Sequence, residues 1–540
     1  MSATKTAAAS ATAPTPACPP PPDFITALQR AEAYDHPVET VILFETHISW
    51  VLLTGEFAYK IKKPVDFGFL DFSTLEKRRF YCEEELRLNG RLAPQLYVDV
   101  VPICGHPAAP FVGGSGPAFE YAVKMRQFDP RQTFDELLAR GALSSALLEE
   151  TATILADFHQ QIAVASPEDN FGTAKAIQQP VQENFAQLEQ ALAGLPQAAD
   201  IRATCETLQH WSRKQQKKLR ATFENRKHQG FIRECHGDLH LRNIVLWQHK
   251  VTPFDGIEFN PNLRWIDVMS EVAFLLMDLD DHRQMALARL LLNRYLVLTG
   301  DYAGLATLRF YQVYRAMVRA KVAALRLGQL STDKPDPACL TEIGNYIQLA
   351  LGYTQSAPAG LVITHGLSGS GKTWLARQLV LSHDLIHLRS DVERKRLFGL
   401  TETAQSGSAI DAGIYSREAT QATYEHLALL AETCINSGFS VIIDATFLKR
   451  KQREIFHHLA QQLKCDFRIL DCTTDLSRMR QRIQARAQQG GDASEADLAV
   501  LEKQLRKQKP LHSEEQKFAL QIDTSGEVDL AAIKAWLSHT

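Results

Sequence analysis

Residues 366–373 read Gly-Leu-Ser-Gly-Ser-Gly-Lys-Thr, fitting the pattern GxxxxGK[ST] at every fixed position. The apolar run LVITH precedes it and the helix-like run WLARQLVL follows, so the loop has the strand–loop–helix context it needs. Glycines let successive backbone N–H groups turn inward around phosphate oxygens, and the helix N-terminus adds the positive end of a dipole. Gly366, Gly369, Ser370, Gly371, Lys372 and Thr373 are therefore the expected ATP-phosphate cradle. Lys372 is expected to reach the β- and γ-phosphates, and the Thr373 hydroxyl to ligate Mg²⁺.

A chain of 540 residues exceeds one ordinary core, and its length predicts roughly two to four domains. Residues 1–22 are Ala/Thr/Pro-rich without an apolar h-region, which predicts a disordered tail rather than a secretory signal. Three short strands (VILFET, SWVLLT, FAYKIKK), a helix from about Glu76 to Leu92 and a strand pair (LYVDVVPI, FEYAVKMRQF) come next. From Thr133 to Arg226 the pattern is mostly helical, broken at DNFGT; residues 230–262 read as loop-rich, and helices dominate to about Leu351. A small β-rich lobe before a larger helical lobe predicts a two-lobed α+β domain over residues 23–353. The composition break TQSAPAG sets a linker at 354–360. In 361–540 the strand-like runs LVITH, IHLR, FSVIID, DFRILD and ALQID alternate with helical segments, predicting an α/β domain with a parallel sheet.

Composition excludes several classes. Lys plus Arg is 59 and Asp plus Glu is 62, a formal net charge of −3, so no global charge draws the chain to nucleic acid or an anionic membrane. No apolar run reaches the ~18 residues of a membrane span. The nine cysteines include no CxxC pair and no zinc-spaced cluster, which predicts free thiols in a reducing cytoplasm.

The second half carries further chemistry. VIIDAT ends an apolar run at Asp444, as the strand bearing a metal-side carboxylate does. Asp391 follows a strand, on the usual ligand side of an open α/β sheet, and is a candidate base for an attacking hydroxyl. Arg394, one helical turn later, is a candidate for an anionic part of the acceptor. Arg478, Arg482 and Arg486 share a helix face, and Arg482 is the candidate for neutralising the transferred phosphoryl group. Together these residues resemble the small P-loop kinases that include polynucleotide kinases, zeta-type toxins and gluconate kinase-like enzymes. The resemblance covers roughly residues 358–540 and implies phosphoryl transfer to an acceptor.

Residues 236–243 read His-Gly-Asp-Leu-His-Leu-Arg-Asn, and Asp255 follows in VTPFDGIEF. Asp238, Asn243 and Asp255 have the order of an acceptor-orienting Asp and two metal-holding residues in phosphotransferases of the protein-kinase type. HGDxHxxN resembles the catalytic loop of aminoglycoside phosphotransferases, choline kinases and related small-molecule kinases, over roughly residues 35–330. Phe57-Ala58-Tyr59-Lys60 resembles the strand of the phosphate-binding Lys, with Lys62 as rival. The resemblance implies Glu85 as its partner, with Glu83 and Glu84 facing solvent. It also implies an adenine-side strand at Glu120–Met125, a structural Asp267 bonded to the catalytic loop, and a packed His159. The helix YRAMVRAKVAALRL reads as an apolar stripe with solvated Arg and Lys. A GxGxxG loop is absent; ETHIS stands in its place.

The whole resembles bacterial proteins in which an aminoglycoside phosphotransferase-family domain is fused to an ATP-binding P-loop kinase domain. That implies ATP and Mg²⁺ at two sites, small-molecule hydroxyl acceptors and a bifunctional phosphotransferase. Two alternatives stand beside it: a P-loop kinase with a regulatory pseudokinase-like first half, and a nucleic-acid end kinase.

Overall fold

The computed structural model describes residues 22–68, 70–329, 336–355, 358–409, 411–489 and 491–538. The tail assigned to 1–22 lies outside the described residues but for Pro22.

After a short helix α1 (Asp23–Ala27), the first lobe is a six-stranded antiparallel sheet crossed by one helix. Its elements are β1 (Ile42–Glu45), β2 (Ser49–Leu53), β3 (Phe57–Lys62), α2 (Leu75–Asn89), β4 (Tyr97–His106), β5 (Ala109–Val112) and β6 (Ala118–Arg126). The order is β1-β2-β3-β6-β4-β5, which sets β3 at the centre and aims Lys60 toward the second lobe. The Thr74 side chain caps α2 by accepting the Lys77 N–H. α2 then presents buried Cys82, Glu85 and Leu88 at helical spacing toward the sheet.

The second lobe is helical, as the pattern predicts: α3 (Phe134–Ala139), α4 (Ser145–Gln161), α5 (Ala174–Leu192) and α6 (Ala199–His228). The stretch 230–262 is loop-rich as expected, with three short strands set in it. β7 (Ile232–Glu234) pairs with β10 (Trp265–Asp267), which follows the short α7 (Pro261–Arg264). β8 (Ile244–Trp247) and β9 (Lys250–Pro253) form a hairpin that delivers Asp255. α8 (Val268–Asp281) is buried from Val268 through Leu279, so it is a core helix without a solvent face. α9 (Met285–Thr299), α10 (Leu305–Gln329) and α11 (Pro337–Thr354) pack around it.

Thr354 ends α11 and Gly360 opens the next strand; the expected linker 354–360 falls between them, with Ser356 and Ala357 outside the described residues. The second domain runs β11 (Gly360–His365), α12 (Lys372–Ser382), β12 (Leu385–Arg389), α13 (Ser390–Leu397), α14 (Arg417–Asn436), β13 (Ser440–Asp444) and α15 (Arg450–Leu463). It closes with β14 (Asp466–Thr473), α16 (Leu476–Gln489), α17 (Leu498–Lys507), β15 (Ala519–Asp523) and α18 (Leu530–Ser538). The sheet order is β12-β13-β11-β14-β15 and every pairing is parallel. Strands such as SVIID are nearly continuous apolar runs because helices cover both faces. One buried apolar cluster continues from the helical lobe into this sheet, joining Leu291 and Leu296 to Ile386 and Leu388.

The chain therefore combines a two-lobed α+β domain of protein-kinase-like architecture with an α/β P-loop domain. Among the described residues no helix is long and apolar enough to cross a membrane.

Candidate active sites

The first site lies between the lobes. Lys60 Nζ donates to Glu85 Oε1 at 2.8 Å and to Asp255 Oδ1 at 2.6 Å. Burial works to depress the Lys60 ammonium, but the Asp255, Glu85 and Glu258 carboxylates outweigh it and hold its pKa well above the ordinary lysine value. Lys62 also meets Glu85, at 2.7 Å, but its other partner is buried Glu258 and its side chain is 1% exposed. Lys60 is thus the cation that faces the open side of the site, and Lys62 holds Glu85 from behind. Glu85 is fully buried and central; Glu83 faces solvent beside Arg79. Glu84 departs from expectation, being half-buried between Arg87 and Arg264.

Asp238 and Asn243 converge on this site. Asn243 Nδ2 donates to the Asp238 carbonyl at 2.9 Å and to its carboxylate at 3.2 Å. His240 Nε2 lies 3.4 Å from Asp238 Oδ2. Burial opposes ionisation of Asp238, yet the charges of His240, His236 and Arg319 hold its carboxyl well below the usual range. At pH 7 it is a carboxylate, the form a hydroxyl proton needs. Asp255 sits at φ +62°, a left-handed conformation that costs roughly 1–3 kcal/mol for a non-glycine residue and marks a position held by its surroundings. Its N–H donates to Tyr97 Oη at 3.1 Å, and the next N–H, of Gly256, to Asn89 Oδ1 at 2.7 Å.

Two expectations for this half need correction. Asp267 does not hold the catalytic loop. It forms two bonds with Arg226, at 2.6 and 2.7 Å, and caps α8 through the Met269 N–H. The loop is held by Glu271, which accepts the Gly237 N–H at 2.8 Å, and by Asp278, which accepts the Leu241 N–H at 2.9 Å. The α10 arginines are not all solvated either: Arg315 is buried and donates to Gly237 O at 3.0 Å. Gly237 has φ +87°, and a Cβ there would stand 2.8 Å from the Leu263 carbonyl, so the loop admits no larger residue. His159 is packed, bonded to Tyr295 Oη at 2.8 Å and to Glu271 at 3.1 Å.

The second site is a cavity of about 490 Å³ lined by Gly369, Gly371, Lys372 and Thr373 of the loop and by Asp391, Arg394 and Asp444. Burial lowers the Lys372 pKa while Asp444 and Asp391 act against it, so both carboxylates lie within electrostatic reach of the ammonium. Lys372 Nζ is bonded to Leu367 O at 2.7 Å, and the buried Ser370 Oγ has no protein partner. Gly369 has φ +80°, and a Cβ there would meet the Met479 carbonyl at 2.7 Å. Asp444 is 6% exposed; burial opposes its charge, but the neighbouring His387 and the charges of Arg389 and Lys372 hold its carboxyl well below the usual range. An orphaned hydroxyl, a buried ammonium and an ionised carboxylate fit a Mg²⁺-bound triphosphate.

Asp391 opens α13, and Arg394 on the next turn is buried, donating to Ile414 O at 2.9 Å and packing over Tyr415 at 5.2 Å. Its Nε is a buried donor without a protein partner. Arg482 lines the cavity, but its guanidinium is bonded to Gly369 O at 3.2 Å and to Thr524 Oγ1 and O at 3.0 and 2.7 Å. Its direct role is to brace the phosphate loop. Arg486 is bonded to Ala496 O, and Arg478 is exposed beside Asp475. Sequence reasoning passed over Thr524, which props Ser370 O at 2.8 Å, and His387, 3.4 Å from Asp444. Their signal was position alone: His387 lies on β12 and Thr524 directly follows β15.

Residues 361–511 match the family model described as an AAA domain. Over 469 residues the chain is 31% identical to "Uncharacterized protein Rv2004c" of Mycobacterium tuberculosis, spanning 86% of this chain and 91% of that one. "Uncharacterized protein Mb2027c" of Mycobacterium bovis matches to the same extent. The chain belongs to the family of these mycobacterial proteins. Members of that family therefore share both halves, since the match runs across most of each chain. Among solved structures, a putative kinase from Chloroflexus aurantiacus is 23% identical, covering 34% of this chain and 97% of its own at TM-score 0.27. A choline/ethanolamine kinase family protein from Mesorhizobium loti is 10% identical, covering 62% and 95% at TM-score 0.38.

Proposed function

We propose that the protein is a bifunctional, ATP- and Mg²⁺-dependent phosphotransferase acting on hydroxyl groups of small-molecule acceptors in the cytoplasm. The observation that carries the reading is the set of groups lining one cavity in the second domain: Lys372, Thr373, Asp444 and Asp391. In that domain Thr373 and Asp444 would hold Mg²⁺, which supplies charge neutralisation at the phosphoryl group. Asp391 would take the proton of the attacking hydroxyl as its oxygen bonds to the γ-phosphorus and the bond to ADP breaks. Arg394, with a free Nε, suits an anionic part of that acceptor. In the first domain Asp238 would orient the acceptor, Asn243 and Asp255 would hold metal, and Lys60 held by Glu85 would meet the phosphates.

The test is labelling from γ-labelled ATP with Mg²⁺ and a broad metabolite extract, comparing the parent with Asp238→Asn and Lys372→Ala. Two products, each lost with a different substitution, are expected. A second reading, a regulatory pseudokinase-like first half, is favoured by the direct Lys60–Asp255 pair, which closes the cation onto a proposed metal ligand. It predicts one product, lost with Lys372→Ala and kept with Asp238→Asn. An oligonucleotide arm tests the end-kinase alternative: labelled 5′ ends would replace the small-molecule reading, and binding there must fall with salt.

A further inference from the structure

A strand at the rim of a sheet leaves a row of backbone groups that need partners. β12 is such a strand, bonded to β13 on one side only. Its other side is met by the first domain. Asn293 of α9, 8% exposed, donates through Nδ2 to Leu385 O at 3.1 Å and accepts the His387 N–H through Oδ1 at 2.8 Å. One carboxamide therefore satisfies an outward C=O and an outward N–H two residues apart, as a neighbouring strand would.

The contact is built from both sides. Tyr302, buried in the first domain, donates to Glu393 Oε1 at 3.0 Å, and Glu393 lies on the same helix as Asp391 and Arg394. Arg294 pairs with Glu402 at 2.5 Å, and Arg396 donates to Val297 O. An apolar cluster runs uninterrupted beneath.

His387 connects this contact to the chemistry. Its backbone is held by Asn293, and its ring lies 3.4 Å from Asp444 Oδ2. The ring and that carboxylate are both buried. Losing a group that orients a metal ligand typically lowers metal affinity by about 10–100-fold.

We propose that Asn293 of the first domain is a positioning residue for Asp444 of the second, acting through the backbone of His387, so that the P-loop domain draws part of its Mg²⁺-side geometry from its neighbour. The inference rests on the reading of Asp444 as the Mg²⁺-side carboxylate.

The experiment uses the full chain with Lys60→Met and Asp255→Asn together, which remove the first site's phosphate-binding cation and a metal ligand, and a fluorescent N-methylanthraniloyl ATP as probe. Binding is measured in EDTA and across a Mg²⁺ titration. Asn293→Ala is expected to raise the Mg²⁺ midpoint about tenfold while leaving affinity in EDTA within about twofold. Asn293→Asp keeps the acceptor for the His387 N–H and is expected to hold the rise to about threefold; it carries the test if the alanine variant does not fold. An unchanged midpoint, or equal losses with and without Mg²⁺, overturns the positioning role. Lys372→Ala is read first: if it binds the probe as its parent does, the P-loop reading itself fails, and the inference with it.

Discussion

Asp280 lies in the last turn of α8 at a cleft between the two domains, where Tyr353 Oη donates to its Oδ2 at 2.6 Å. Burial pushes its carboxyl from 3.8 up to about 6; the Tyr353 bond works against that rise, and the charge of Asp384 across the cleft adds to it. A raised carboxyl favours the protonated form in the folded chain. Its contribution to stability is therefore full below about 3.8 and is lost as pH rises through about 6. A two-unit shift corresponds to about 3 kcal/mol at about 1.4 kcal/mol per unit, and residual solvent around this half-buried side chain reduces that to about 1–2 kcal/mol. Asp280→Asn keeps the shape and an acceptor for Tyr353 but carries no charge. It should stabilise the protein by that amount at pH 7.5 and by almost nothing at pH 4. Calorimetry at pH 4, 5.5 and 7.5 reads it as a Tm gain of about 1–2 °C at the highest pH, small because unfolding entropy grows with chain length. An Asn advantage independent of pH would show that the Asp280 carboxyl is not raised by folding, and a loss of stability at pH 7.5 would show that it is ionised and paired in the folded state; either refutes the reasoning.

Three further outcomes follow from the same geometry. Arg226→Ala strands the buried carboxylates of Asp267 and Asp301, each bonded to that guanidinium at 2.6–2.8 Å, and should cost about 3–5 kcal/mol in chemical denaturation. Lys62→Met leaves buried Glu258 without its cation and should destabilise by a similar amount, whereas Lys60→Met, whose site opens to solvent, should abolish labelling by the first domain at a much smaller stability cost. Gly369→Ala places a Cβ against the Met479 carbonyl at 2.7 Å in a left-handed backbone, so probe binding at the P-loop should fall at least tenfold while the first domain keeps its labelling.

Most elements were legible in the sequence because their local signals were strong. The five strands of the parallel sheet are apolar runs bounded by turns, and each reappears within a residue or two of its expected place. The loop at 366–373 and the order Asp238, Asn243, Asp255 carry their chemistry in spacing alone. Glu85 was preferred to its neighbours by resemblance, and burial gives a physical reason for that preference: at 0% exposure it can compensate two lysines at once. What was missed shares one cause. Arg315, Asp267, Arg482 and His387 act through partners 41 to 113 residues distant, and no local pattern records such pairing. Within the loop-rich stretch 230–262, β7 went unread for a related reason, since it becomes a strand only by pairing with β10.

The boundary between the halves was the least legible feature, and its form changes how the chain is understood. TQSAPAG reads as a spacer, which implies two bodies free to act alone. The folded chain instead sets α9 along the open edge of β12 and carries one apolar core through the junction. A single amide replaces a strand there because Asn offers a donor and an acceptor at the spacing of a peptide unit, which no charged or apolar residue of that size can do. A P-loop domain cut at residue 360 would expose Leu385 O, His387 N–H and the apolar surface under α9 together. Stability and metal geometry would then be lost in one step, and for that reason the two halves are best treated as one folding unit with two sites.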